Sequence, residues 1–520
     1  METSTRGLRA DALDQAAPQT GADDAELAIT RDLRASILHG LRWSTAIVVT
    51  TQAARSATSL VLVHLLAPRD FGLAGIALLF SGLVLAFSDL GLGDGLVQRH
   101  RITEEDRSTM FWTSAFVGTA LTAAGIGLAA PLAAFFHEPR VRPLFMAVSV
   151  SFVLVALQTT PAALFQRTMS FRAITIRRIV STVGGAAAGI AVAAGGGGAW
   201  ALIVQAVTVC ALSTILIWAL SSWAPTFTYS LRSLKRLGTF GVTILGARML
   251  DYVEGNADTV LVGRYLGASS LGLYSIAYSV ILLPTQRLFV PLQDTFFPAF
   301  ARIQHDRERM AALWLRLSRV VCAAVAPAML GLFAVAPDFV TVVLGHRWAA
   351  CTPVLRILSL VTLMQGFSAV AGRTLAALGK AGLVLRNSAL RTALAVAAFA
   401  AGLHWGIVGV AAFYAGVTVP AQAYLVALVT RELAIKRLRY ARSLAGVVQA
   451  AVAMFVGCIL ARSALAHLGV GPSFRLLTVI CVGIAIYVPA TVWRCPTVIA
   501  EIRNLRRRPR TSLSTATASS

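Results

Sequence analysis

HLLAPRDFGLAGIA, residues 64–77, aligns without a gap on RYLGASSLGLYSIA, residues 264–277. Leu66, Gly72, Leu73, Ile76 and Ala77 fall on Leu266, Gly272, Leu273, Ile276 and Ala277, an offset of 200, and at the same offset Asp94 falls on Asp294. Each copy is a short joint between two long apolar runs, 43–66 and 71–93 for the first, 237–263 and 271–296 for the second. Six apolar runs lie between the copies, so both joints face the same side of a membrane. The pattern implies two parallel six-helix halves related by an axis along the membrane normal, as in many transporters.

Outward from the two joints, the remaining runs are 109–135, 143–164, 174–194, 199–221, 312–335, 353–378, 384–403, 406–430, 444–464 and 473–493. Each approaches or exceeds the roughly 20 residues that cross a bilayer. The fold expected is all-α and polytopic, with about 14 transmembrane helices in two parallel lobes around a central cavity, plus a C-terminal pair. The lobes span 43–221 and 237–430 and the extra hairpin 444–493. Residues 1–42 form a cytoplasmic tail ending in a short interfacial helix (31–42), and 494–520 a basic cytoplasmic tail.

Composition agrees. Only 13% of the 520 residues are charged and 57% are hydrophobic, while a soluble domain carries about twice that charge. The mean hydropathy is +0.73. The net charge of +23 does not indicate nucleic acid, because the cations sit in short loops between apolar runs rather than on one face. Alternate loops are basic, from RHRITEEDR (99–107) to the tail RNLRRRPR (503–510). With both termini, that side holds roughly 34 Lys and Arg against about 6 on the other, so it is expected in the cytoplasm of a bacterial inner membrane. The polar first 30 residues do not form a signal peptide. The six cysteines show no CxxC spacing, so neither a metal nor a redox site is expected. The histidines lack ligand spacing, most tryptophans sit at helix ends as an aromatic belt would, and GGGG (195–198) reads as a tight outer turn. No cofactor is expected.

Polar residues enter the membrane in two places. The first run carries Ser44, Thr51, Gln52, Arg55, Thr58 and Ser59 within an arc of about 120°, with Arg55 at its midpoint. The seventh carries Arg248, Asp251, Glu254 and Asp258 in a similar arc, and the eighth adds Arg287 and Asp294. Each charge at the bilayer centre costs about 2.5–3.5 kcal/mol on insertion scales, so these residues face one another, a partner helix or water. In a bland alternative, Arg248 merely neutralises Asp251 one turn away and Asp258 lies near the outer interface.

The stretch LLAPRDFGLAGIALLFSGLVLAFSDLGLGDGLVQ (65–98) resembles the first hairpin of the polysaccharide transporter family, the Wzx-type O-antigen, lipopolysaccharide and colanic-acid exporters. GNADTVLVGRYLGASSLGLYSIAYSV (255–280) resembles a second element, with the pattern D-x-x-L-x-G-x-x-L-G-x-x-x-L-G-x-Y running from Asp258 to Tyr274. The inner loops 166–178 and 379–387 also resemble the family's, and the likeness covers about 40–435. It implies a flippase of the multidrug/oligosaccharidyl-lipid/polysaccharide superfamily, which moves a polyprenyl-diphosphate-linked oligosaccharide across the inner membrane by alternating access. It also implies a cavity lined chiefly by helices 1, 2, 7 and 8. Cavity arginines hold the diphosphate in such flippases, which makes Arg55, Arg248 and Arg287 the candidates, with Thr51, Gln52 and Thr58 for the sugars. Asp251, Glu254, Asp258 and Asp294 are the candidate cavity acids, Asp251 and Glu254 foremost for ion coupling. The partners expected are the lipid-linked glycan, membrane lipid, a polysaccharide polymerase and glycosyltransferases.

Rival readings are a multidrug extruder, which would lack midplane arginines, and a lipid II flippase with the same physics and another glycan. A membrane glycosyltransferase or polymerase would need an outer loop with catalytic acids or bases. The longest outer stretch here, 336–352, has Asp338 as its only acid.

Overall fold

The structure is a computed structural model that describes residues 50–89, 102–168, 170–231, 252–253, 255–282, 300, 303 and 306–495. Every regular element among the described residues is helical, as lipid requires of a spanning chain that must satisfy its own backbone. The helices are α1 (50–65), α2 (Pro68–Asp89), α3 (Glu104–Phe135), α4 (Val141–Arg167), α5 (Phe171–Ala194), α6 (Trp200–Leu220), α7 (255–265) and α8 (Gly267–Leu282). They continue as α9 (Arg307–Phe339), α10 (Thr352–Ser368), α11 (Ala381–Gly402), α12 (Gly406–Glu432), α13 (Arg437–His467) and α14 (Pro472–Arg494). A short helix, Ala371–Ala377, prolongs α10 beyond a break.

Nine stretches among the described residues are long and apolar enough to cross a membrane, and one of them, Gly382–Glu432, is the α11–α12 hairpin. The protein is a multi-pass membrane protein. The expected fourteen includes spans, such as 237–263 and 271–296, that run outside the described residues.

Helix ends follow local chemistry. Pro68 opens α2 with a backbone already set for a first turn, and the Asp70 carboxylate accepts from the Ala67 amide at 3.0 Å. At α3, Thr103 and Asp106 form a capping box, each side chain accepting from the other's amide at 3.2 Å, and Glu104 and Glu105 add negative charge to the first turn. The GGGG turn joins α5 to α6, and Gly196 and Gly198 have φ of 78° and 54°, where a side chain would be strained.

The two joints meet each other. A Cβ on Gly72 would strike the carbonyl oxygen of Ala268, and one on Gly272 would strike that of Pro68. Pro68 and Ala268 are themselves 200 apart, so the contact is reciprocal, as a two-fold relation between the halves demands. Only glycine at both positions lets the two backbones approach this closely. Farther along, a Cβ on Gly82 would meet the Tyr252 ring. Gly82 lies fourteen residues after Pro68 and Tyr252 fifteen before Gly267, both about 20 Å from the joint. The α1–α2 and α7–α8 hairpins therefore run in the same direction, as parallel halves require.

Side-chain contacts tie this end of the bundle together. Buried Trp348 donates its indole N–H to the Val63 carbonyl at 3.1 Å and packs edge-on against Phe71. Arg264 donates to His137 and lies over the Phe135 ring, and Arg69 pairs with Glu138 at 3.1 Å. The larger cavities are lined by residues near the opposite end, beside the basic loops 166–178 and 379–387.

The C-terminal pair α13–α14 is anchored on α9. The Asp338 side chain is 2% exposed, and its two oxygens accept from Arg462 Nε at 2.6 Å and Arg475 Nε at 2.8 Å, with Arg475 Nη2 closing a two-pronged contact. The Tyr487 hydroxyl donates to the Ala323 carbonyl at 2.7 Å. Asp338, the one acid of the stretch 336–352, is thus occupied by two guanidinium groups rather than presented to solvent.

Candidate functional site: an arginine-lined cavity

Within the first half, α1, α4, α5 and α6 enclose a cavity of about 730 Å³. Thr51 and Arg55 reach it from α1, Arg177 and Arg178 from α5 and Gln158 from α4. Among the described residues, no carboxylate lines it. Helical spacing explains the grouping: Thr51 and Arg55 are one turn apart on α1, and Arg177, Arg178 and Ser181 share a face of α5.

Arg55 stands about 16 Å from the joint, eleven residues before Leu66, and Arg177 about 9 Å inside the start of α5. Ser213 donates to the Gln158 amide oxygen at 2.6 Å, and Arg177 Nη1 approaches the same oxygen at 3.4 Å. Among the described residues, the side chains of Arg55 and Arg178 make no ion pair or hydrogen bond, and Arg55 is exposed. The cavity can therefore take an oxyanion. Planar guanidinium forks hold phosphate oxygens two at a time and keep their charge in any protein environment, while the amide and hydroxyls offer partners to sugar hydroxyl groups.

The expected residues divide. Thr51 and Arg55 line the cavity. Gln52 is half-buried and off it, and Thr58 is buried with its hydroxyl donating to the Ala54 carbonyl at 2.7 Å. Asp258 is buried 12 Å or so from the joint, accepts from the Thr259 amide at 2.7 Å and stands beside Tyr274. The first and last residues of the 258–274 pattern thus touch inside the bundle. Arg248, Asp251, Glu254, Arg287 and Asp294 lie outside the described residues. Sequence reasoning passed over Arg177 and Arg178, reading them as the end of a basic loop. Ser181 and Thr182 one turn on were the sign that the polar face continues into the membrane.

Residues 61–353, more than half of the chain, match a family described as polysaccharide biosynthesis protein. The chain belongs to the polysaccharide biosynthesis protein family. This is the family to which the stretches 65–98 and 255–280 pointed. Among its relatives, the lipopolysaccharide biosynthesis protein WzxC of Escherichia coli is 26% identical over 372 residues, covering 71% of this chain and 76% of that protein. The succinoglycan biosynthesis transport protein ExoT of Rhizobium meliloti is 27% identical over 325 residues, 62% and 66% of the two chains. The teichuronic acid biosynthesis protein TuaB of Bacillus subtilis is 26% identical over 346, 65% and 70%. The fold of this family member is similar to that of the lipid II flippase MurJ in an inward closed conformation, with a TM-score of 0.69 at 13% identity over 90% of this chain and 100% of that one. It is also similar to an inward-facing multidrug transporter of the MATE family, at 0.62, 13%, 74% and 94%.

Proposed function

We propose that this family member is a flippase that carries a polyprenyl-diphosphate-linked oligosaccharide across the bacterial inner membrane by alternating access, with Arg55, Arg177 and Arg178 holding the diphosphate. The observation that carries the reading is a cavity within the spanning region that gathers three arginines, amides and hydroxyls and, among the described residues, no carboxylate. Such a lining disfavours an extruder of cationic drugs, which would meet only like charge there. The names of the relatives, polysaccharide biosynthesis proteins of which ExoT is a transport protein, support this reading. Arg248 and Arg287 extend the phosphate path from the second half, and Asp251, Glu254, Asp258 and Asp294 couple the cycle to an ion gradient. The lobes are 43–221 and 237–430, and a polymerase and glycosyltransferases work beside the protein.

Deleting the gene is expected to stop export of one surface polysaccharide while lipid-linked repeat units accumulate inside the cell. Unchanged surface glycan with an altered drug-resistance profile would favour the extruder.

The orientation rests on the basic loops. Alkaline phosphatase fused after His346 is expected to be active, and a fluorescent reporter at Ser520 to light up in the cytoplasm. A stably expressed but inactive phosphatase fusion would reverse the topology.

A further inference from the structure

The second half holds a cavity of its own, about 500 Å³, between α10, α11 and α12. Its walls repeat those of the first at a constant offset of 210. On the fourth and tenth helices, Val155, Gln158, Ala162 and Ala163 correspond to Gln365, Ser368, Gly372 and Arg373, and every one of these lines its own cavity. On the fifth and eleventh, Arg177, Arg178 and Ser181 correspond to Asn387, Ser388 and Arg391, again lining residues throughout. Even the hydrogen bond across each floor recurs. In the first half the Ser213 hydroxyl donates to Gln158, and in the second the Ser368 hydroxyl donates to Gln422, so the amide and the hydroxyl have exchanged helices.

The side chains at equivalent places differ while the chemistry persists. The first cavity takes its arginines from α1 and α5. The second takes Arg391 from α11 and Arg373 from the short helix after α10, and again, among the described residues, has no carboxylate in its lining. Guanidinium groups in spanning segments are costly and mark pathways for polar ligands. Helix α10 breaks at residues 369–370, beside the Ser368–Gln422 bond, and interrupted helices within a membrane are tolerated where they line a cavity. A Cβ on Gly372 would meet no atom within 4 Å, so the wall is open at that point.

We propose that this second cavity is a binding site for a phosphate or acidic-sugar group, the pseudo-symmetric counterpart of the arginine cavity in the first half. Arg373 and Arg391 hold the oxyanion, and Gln365, Asn387 and Ser388 serve the neighbouring hydroxyl groups. The proposal rests on reading the first cavity as a diphosphate site and adds a second station of the same chemistry, so that each half of the molecule can hold an anionic portion of the substrate.

Equilibrium dialysis of labelled inorganic pyrophosphate against the purified full-length protein in nanodiscs tests it. Filling the second cavity with Gly372→Trp is expected to remove one site, and Arg391→Gln to weaken that site at least about tenfold. Ala162→Trp, at the position equivalent to Gly372, is expected to remove the other. If only Ala162→Trp removes a site, and Arg391→Gln changes nothing, the second cavity is no anion site while the first stands. If only Gly372→Trp removes one, the second cavity stands and the first reading falls. Binding that neither change touches, or no binding by the folded wild type, overturns both.

Discussion

Replacing Asp338 with Ala is expected to lower the stability of the detergent-purified protein by about 3–5 kcal/mol, because it leaves two guanidinium groups facing each other without their shared counter-ion. The Arg462 and Arg475 side chains are only 29% and 18% exposed, so water recovers little of the lost partnership. The damage should concentrate where α13 and α14 rest on α9. Proteolysis would then release the C-terminal pair at temperatures that leave the wild type whole. Changing Asp338, Arg462 and Arg475 together to apolar residues of similar size should regain most of the loss, since the desolvation of three charges disappears with them. An Asp338→Ala protein that melts with the wild type would mean that the pair is held by apolar packing alone.

The second large effect belongs to the arginine cavity. A charge-assisted contact is worth about 1.5–3 kcal/mol, or roughly 10- to 150-fold in affinity. Arg178→Gln is the cleanest single change, because among the described residues the Arg178 side chain has no hydrogen bond to lose, whereas that of Arg177 also touches Gln158. Changing Arg55, Arg177 and Arg178 together to Gln should abolish glycan export while membrane abundance stays normal. Lysine at Arg178 should restore export only in part, keeping the charge but losing the fork.

Much of the architecture was legible in the residues. The joints at 64–77 and 264–277 announced two parallel halves, and Gly72 and Gly272 proved to be the points at which the halves touch. Expected spans fall within the helices found, 143–164 inside Val141–Arg167 and 312–335 inside Arg307–Phe339. The helices overrun the apolar runs with polar end turns, such as those of Arg167 and Arg307, where charge costs less than at a bilayer centre. The break in α10 was not read, although Gln365, Gly366, Ser368, Gly372 and Arg373 interrupt the apolar stretch 353–378 around it.

The site was harder to read, for a physical reason. In lipid both the outward and the inward face of a helix are apolar, so the alternation that orients a helix in a soluble protein is absent. The stripe on α1 could be seen, but not that Thr51 and Arg55 would turn toward α4, α5 and α6 of their own half. Arg177 and Arg178 looked like loop cations because they close a basic stretch. Nothing near Asp338 in the chain announced partners 124 and 137 residues away.

The most direct test of the diphosphate clamp is translocation in proteoliposomes. Full-length protein and its Arg55→Gln/Arg177→Gln/Arg178→Gln variant would be reconstituted with a fluorescent polyprenyl-diphosphate oligosaccharide, and the fraction reaching the far leaflet read by dithionite quenching. The wild type should move the lipid and the variant should not, although both insert equally. Equal translocation by the two would contradict a substrate role for the arginine cavity.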